Sequence, residues 1–310
     1  MSEFVDSVSP ENVIVVGVDG SPQSTAAVDW AATEADRRRA DIRLVYAWSP
    51  VVGAFSGAEA MQPAYVETLE DYGRTILDQG AAQVTAAFPA MTVTTELCRS
   101  QPAVELLEQS ERALMTVVGA HGSNRILGML VGSVALRLAT HGTGPVVIVR
   151  DEPPTGPGRE HPVMVGLDGS DSSEEALSFA FEEASFRHTR LIAVRTSPGA
   201  PGDSYLVPYL TATDLQDIEV EQHRLLAEQL AGWSEKYPDV PVHPLVLRGP
   251  AAAGLLGLDN ESGALPATPA LLVVGSRGRG GFAGLLLGSV GQALVAHAVG
   301  PVCIVHPRGR

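Results

Sequence analysis

Short aliphatic runs and stretches of helical periodicity take turns along this chain. Val13 to Val18 is a nearly continuous apolar run, the mark of a strand covered on both faces. Ser21-Pro22 then supplies a helix cap and a first-turn proline, and Ala27, Trp30, Ala31 and Ala35 recur at helical spacing with charges between them. A second strand is expected over Ile42 to Trp48, followed by a loop with Gly53, Gly57 and Pro63 and a long helix ending near Phe88-Pro89. The pattern continues as a third strand over Val93 to Cys98, a short helix over Pro102 to Ser110 and a fourth strand over Leu114 to Val118. Helix Ser133 to His141 and strand Val146 to Val149 close the series. Strands alternating with helices imply parallel pairing through right-handed crossovers, so the fold class is α/β with a doubly wound parallel sheet. Ligands of such sheets lie beyond the carboxyl ends of the strands, where strand order reverses. Asp19 follows the first strand and Gly119 the fourth; if those strands are neighbours, both face one cleft.

The whole series occurs twice. Residues 13–99 align without a gap on 162–248 at a constant offset of 149, so Val16-Gly17-Val18-Asp19-Gly20-Ser21 faces Val165-Gly166-Leu167-Asp168-Gly169-Ser170. Past Arg99 and Arg248 the offset becomes 156 and holds through Gly119/Gly275, Gly132/Gly288 and Val149/Val305. The seven extra residues fall between Leu256 and Pro269, a stretch that reads as a loop. Self-similarity at this length means repeated domains, and 310 residues suits two of them. The expected division is 1–150, a Pro/Gly-rich linker at 151–161, and 162–310, each half large enough for its own core.

Each half carries the spacing Gly-x2-Gly-x9-Gly-Ser straight after its fourth strand. The residues are Gly119, Gly122, Gly132 and Ser133, then Gly275, Gly278, Gly288 and Ser289. Glycine lets backbone N–H groups approach an anion, and a helix start adds unpaired donors at its positive end. A strand that runs into such a loop and then into a helix is a phosphate-binding device, so the pattern points at a nucleotide. A dinucleotide fingerprint fails: Gly278-x-Gly280-x-x-Ala283 follows the fourth strand, with no acidic residue about 20 positions on. A Walker loop fails as well, because neither loop contains Gly-Lys-Ser/Thr.

Charge narrows the partners. The net charge of −15, with only 21 Lys plus Arg, repels nucleic-acid backbones and anionic lipid, so neither nucleic acid nor membrane is expected as a partner. Arg37-Arg38-Arg39 reads as a solvated, cationic helix end. No stretch approaches the roughly 18 apolar residues of a membrane span. The polar, acidic start from Met1 to Asn12 lacks signal-peptide regions, so a cytoplasmic location is expected. Cys98 and Cys303 are not repeat equivalents and read as buried inert thiols. No histidine has metal spacing and no Ser/His/Asp order stands out, so no metal site and no catalytic residue is assigned.

Together these residues resemble a tandem universal stress protein, over nearly everything from Val13 to Pro307. The Asp after the first strand and the glycine loop carry the resemblance, and in that family the loop marks the ATP-binding branch. Val273-Val274-Gly275-Ser276-Arg277-Gly278-Arg279-Gly280-Gly281 with Leu287-Gly288-Ser289-Val290 looks very like the family pattern. Gly119-Ala120-His121-Gly122-Ser123-Asn124-Arg125 departs more, with its glycines and Ser133 intact. The resemblance implies a Rossmann-like strand order 3-2-1-4-5 and an adenosine site near Val18, Asp19 and Ala47, matched by Leu167, Asp168 and Thr196. It implies phosphate contacts at Gly119, His121, Gly122, Gly132, Ser133 and Val134, and likewise at Gly275, Arg277, Gly278, Gly288, Ser289 and Val290. It also implies pairing between fifth strands, Val146 to Val149 and Val302 to Val305, whose leading Gly-Pro suits an edge. A homodimer stands among the expected assemblies.

Several of these residues fit more than one role. Asp19 and Asp168 suit hydrogen bonding to ribose or the adenine edge, and equally a cap on the turn that follows. Ser133 and Ser289 suit phosphate donation together with helix capping. His121 and Arg277 share one loop position, where a phosphate contact and a solvated side chain are both open. Magnesium would arrive with the nucleotide. The expected function is a cytosolic stress-response protein that binds ATP in both domains and changes state with occupancy. No base beside the loops is placed to activate water, so a binder is expected ahead of an enzyme. Slow ATP hydrolysis or adenylate transfer is the alternative, and a nucleotide-independent interaction protein acting through its sheet edges is the second.

Overall fold

The computed structural model describes residues 11–49, 63–122, 130–150, 161–197, 211–258, 268–279 and 286–307. The linker stretch 151–160, most of the loop holding the seven extra residues, and Ser123 to Arg125 lie outside these ranges. The chain divides into two compact units, with the break between Arg150 and Asp151.

The first unit runs β1 (Val13–Gly17), α1 (Pro22–Arg38), β2 (Asp41–Ala47), α2 (Pro63–Ala87), β3 (Val93–Cys98), α3 (Pro102–Ser110), β4 (Met115–Gly119), α4 (Ser133–His141) and β5 (Pro145–Val149). Its strands lie in the order β3-β2-β1-β4-β5, every pair parallel. The second unit runs β6 (Val163–Gly166), α5 (Asp171–Phe186), β7 (Leu191–Ser197), α6 (Ala212–Leu230), α7 (Trp233–Lys236), β8 (Val242–Arg248), α8 (Ala251–Leu255), β9 (Leu271–Gly275), α9 (Ser289–His297) and β10 (Val302–Val305). Its order is β8-β7-β6-β9-β10, again parallel throughout. Both units have the expected 3-2-1-4-5 order, and strand limits move by a single residue at β1, β2, β4 and β5.

The register explains where the site must lie. Gly17 pairs with Val45 of β2 on one side and Val118 of β4 on the other, so β1 and β4 end side by side. Order reverses there, and the chain leaving each strand opens into one crevice. The helices that follow β1 and β6 are started by side-chain caps: Ser21 Oγ accepts from the Ser24 N–H at 3.1 Å, and Ser170 Oγ from the Ser173 N–H at 3.2 Å.

The arginine run at the end of α1 is not wholly solvated. Glu34 is fully buried, and Arg38, itself only 6% exposed, donates to it at 2.8 Å while Arg37 donates at 3.3 Å. A carboxylate taken out of water needs a partner held close, and the run supplies two. Glu183 and Arg187 repeat the arrangement in α5 at 2.8 Å.

The long helices diverge. Gly73 and Gly80 of α2 leave room for the large side chains of β2: an added Cβ would stand 2.6 Å from Tyr46 and 2.9 Å from Leu44. The second unit enlarges the helix side, with Gln222 and Gln229 of α6 at those positions, and places Ala193 and Arg195 on β7. Arg195 donates to the Gln222 and Gln229 amide oxygens at 2.6 and 2.8 Å. The second long helix is also interrupted, because Gly232 takes the left-handed conformation at φ +81° and restarts the chain as α7. Among the described residues no helix is long and apolar enough to cross a membrane.

Candidate functional site

In the first unit a cleft of about 290 Å³ opens at the ends of β1 and β4. Val18, Asp19, Ala47, Gly119, His121, Gly122, Gly132, Ser133 and Val134 all line it, so every residue expected from this half is brought together. Val45, Val118 and Leu106 contribute apolar lining that the loop pattern does not announce. Leu106 reaches in because Gly17 leaves it space, a Cβ there standing 2.7 Å from its Cδ1.

The glycines of the loop do different jobs. A Cβ on Gly119 would lie 2.8 Å from the Gln23 carbonyl carbon, so this glycine lets β4 press against the start of α1. A Cβ on Gly122 would lie 2.6 Å from Asp19 Oδ2, so this one lets the loop meet the carboxylate. Asp19 Oδ1 accepts from the Ser21 N–H at 3.0 Å, which fulfils the turn-capping role and keeps the carboxylate aimed. The Gly132 N–H donates to the Ala120 carbonyl at 2.7 Å and closes the loop. The caps of α4 and α9 are Gly132 and Gly288, and neither has a side chain to cover the first amides. The expectation that Ser133 and Ser289 cap these helices is therefore corrected: each is the first helical residue, one position too late to cap. Helix starts without side-chain caps leave amide donors for a ligand.

The second unit repeats the plan with more polar detail. Asp168 Oδ1 accepts from the Ser170 N–H and Oγ at 3.0 and 2.6 Å, and Oδ2 accepts from the Arg279 N–H at 2.7 Å. A Cβ on Gly278 would stand 2.5 Å from Asp168 Oδ2, as at Gly122, and one on Gly275 would strike the Ser172 carbonyl oxygen at 2.6 Å. The Arg277 N–H meets Ser172 Oγ at 3.4 Å, and Arg279 Nε and Nη2 donate to the Gly169 carbonyl at 3.1 and 2.9 Å. The Leu167 N–H donates to the Val194 carbonyl at 2.8 Å, which sets it two positions from Thr196 along β7. The Gly288 N–H donates to the Ser276 carbonyl at 2.9 Å, so Ser289 and Val290 begin α9 over the loop.

The pattern of the universal stress protein family matches residues 12–150 and again 160–306. The chain belongs to that family. Its relatives are tandem proteins of similar length. A universal stress protein of Mycolicibacterium smegmatis is 38% identical over 95% of this chain and 97% of its own. One of Mycobacterium tuberculosis is 36% identical over 94% of this chain and 95% of its own. The crystal structure of a universal stress protein from Archaeoglobus fulgidus shares the fold, with a TM-score of 0.65 at 19% identity, covering 96% of this chain and 99% of that one.

Within this tandem universal stress protein the two aspartates have different surroundings. Burial pushes the Asp168 carboxyl up, but donation from Ser170, the Arg279 N–H and Ser173 outweighs it and holds the group below its ordinary 3.8. A lowered folded value adds stability that is complete above the unfolded value and is lost as pH falls through the folded one. Wild type should therefore lose its stability advantage over Asp168→Asn as pH drops below 3.8, in chemical unfolding from pH 5 to 3. An advantage that stays constant over that range contradicts the network.

Two features escaped the sequence reading. Tyr46, a wall residue of the first cleft, is exchanged for Arg195 in the second half, visible only once the halves are aligned and the packing is known. Cys98, Glu96 and Glu105 bring their ligand atoms within 4.8 Å of one another, which a buried inert thiol does not suggest. The cluster satisfies itself: Gln109 Nε2 donates to Glu96 at 2.7 Å and Glu105 at 3.3 Å. Burial and then the Glu105 charge push the Cys98 thiol up to about 12, so it stays protonated at neutral pH.

Proposed function

We propose that each domain, 1–150 and 162–310, binds an adenine nucleotide, ATP, and that occupancy sets the state of a cytosolic stress-response switch. The observation that carries the reading is the first cleft. It joins an apolar lining of Val45, Ala47, Val118 and Leu106 to a carboxylate, Asp19, and to a helix start without a side-chain cap. Its volume of about 290 Å³ is close to the lower end of small-molecule sites, roughly 300 Å³. A base suits the apolar part, a carboxylate accepts from ribose hydroxyls, and backbone amides from Ser133 onward donate to phosphate oxygens. The second unit repeats the carboxylate, the loop glycine set against it and the helix start without a side-chain cap, at Asp168, Gly278 and Ser289. Magnesium would come with the nucleotide and needs no protein ligand.

Backbone donation to a charged acceptor contributes roughly 1.5–3 kcal/mol per bond, so a few bonds plus base burial reach micromolar affinity, about −8 kcal/mol. The proposed role is binding, with turnover slow if it occurs. ATP at about a hundredfold above its dissociation constant should add about 2.7 kcal/mol to each occupied domain. That is a rise of several degrees in melting temperature, read by differential scanning calorimetry. No rise, together with no nucleotide extractable from freshly purified protein, overturns the proposal.

A further inference from the structure

The Asp168 surroundings repeat the backbone plan of the Asp19 cleft and differ from it in charge. Two guanidinium groups stand beside Asp168 and Gly169, those of Arg195 and Arg279, and a third arginine, Arg277, is on the same loop. Arg195 is 7% exposed, held on Gln222 and Gln229, and its Nη2 reaches the Asp168 carbonyl at 3.5 Å. Arg279 spans from the loop to the Gly169 carbonyl, a partner that neutralises no charge, and Arg277, two positions earlier on the loop, is exposed. Glu221, the other acid that acts on Arg195, is paired with Arg224 at 2.6 Å. In the first cleft, with Asp19, the positions matching Arg195 and Arg277 are Tyr46 and His121. Tyr46 is neutral at physiological pH, since burial and the neighbouring Tyr72 and Asp19 raise its pKa. Burial and then the Arg279 charge lower the pKa of Arg195, against the opposing pull of the Asp168 and Glu221 carboxylates.

Resting on the reading of both clefts as adenine-nucleotide sites, we propose that they discriminate phosphate charge differently. The second site, through Arg277 and Arg279 with Arg195 behind them, selects nucleotides carrying several phosphates. The first binds ATP, ADP and AMP with little regard to phosphate number. Backbone amides serve both sites equally, so the difference lies in side chains alone. A guanidinium–phosphate contact changes affinity by roughly tenfold at an exposed, salt-screened position and more where it is desolvated.

The test is calorimetric titration of the full chain with ATP, ADP and AMP at pH 8, where an ordinary histidine is neutral. Wild type should show two classes of site, one preferring ATP over AMP at least about tenfold more strongly than the other. In the double variant Arg277→Ala/Arg279→Ala, whose side chains are exposed, that preference should fall about tenfold with AMP affinity kept, and the other class should not change. Unchanged AMP binding at the altered site shows that the cleft still folds. The ATP preference should also weaken as salt is raised in wild type and lose that dependence in the variant. Equal preferences at the two sites, or a variant that behaves as wild type, overturn the charge proposal and leave nucleotide binding standing. Absence of binding by all three nucleotides overturns both.

Discussion

Gly275→Val should unfold the second domain under conditions in which the wild-type chain stays folded. The added side chain has no space to enter: its Cβ alone would lie 2.6 Å from the Ser172 carbonyl oxygen and 2.7 Å from its carbon. Those atoms belong to the first turn of α5, so relief requires moving a whole helix that carries Leu177, Ala180 and Phe181 in the core. Overpacking against backbone costs about 3 kcal/mol or more, roughly 10 °C in melting temperature for a domain of this size. Gly119→Val should do the same to the first domain, where Gln23 of α1 is the obstacle. The neighbouring glycines separate packing from ligand contact. A Cβ on Gly278 meets only the Asp168 carboxylate, so Gly278→Ala should melt within about 1 kcal/mol of wild type. Calorimetric melts of the variants decide it, and a Gly275→Val protein that melts like wild type removes the packing account.

The second large effect is on binding. Asp19→Ala should lower ATP affinity at the proposed first site by about a hundredfold or more, since the bonds its carboxylate would make to a ribose contribute roughly 1.5–3 kcal/mol each. Titration should then report one site per chain, and none when Asp168→Ala is added. The turn loses the Ser21 N–H acceptor, a change of about 1 kcal/mol, small enough to leave the domain folded. Gly122→Ala provides a second route to the same loss, because its methyl displaces the Asp19 carboxylate without touching backbone. Two sites of unaltered affinity in both variants would show that Asp19 only caps its turn.

Much of this architecture can be read from residue order. Aliphatic runs such as Ile14 to Val16 suit a strand buried on both faces, and the repeat offset duplicates every inference drawn from the first half. The site was placed because an acid after β1 and glycines after β4 can only converge where those strands adjoin. Spacing is silent on what each glycine faces. Gly119 and Gly122 look equivalent in a pattern, yet one accommodates a helix and the other a carboxylate. The burial of Arg38 depends on Glu34 turning inward, and the cap at Gly132 depends on where α4 starts, both tertiary outcomes. The halting of α6 before Gly232 likewise needs the backbone, since a lone glycine in a helical stretch is ordinarily tolerated.

The exchange of Gly73, Gly80, Leu44 and Tyr46 for Gln222, Gln229, Ala193 and Arg195 has a consequence for the ancestry of the chain. A chimera that moved α2 onto β7 would strand a guanidinium without its amides, and the reverse graft would drive glutamines into aromatic and leucine side chains. Every intermediate with only one of the partners altered loses stability, so drift back toward identical halves is blocked by epistasis. What began as a copied gene segment is now a pair of parts that can no longer substitute for each other.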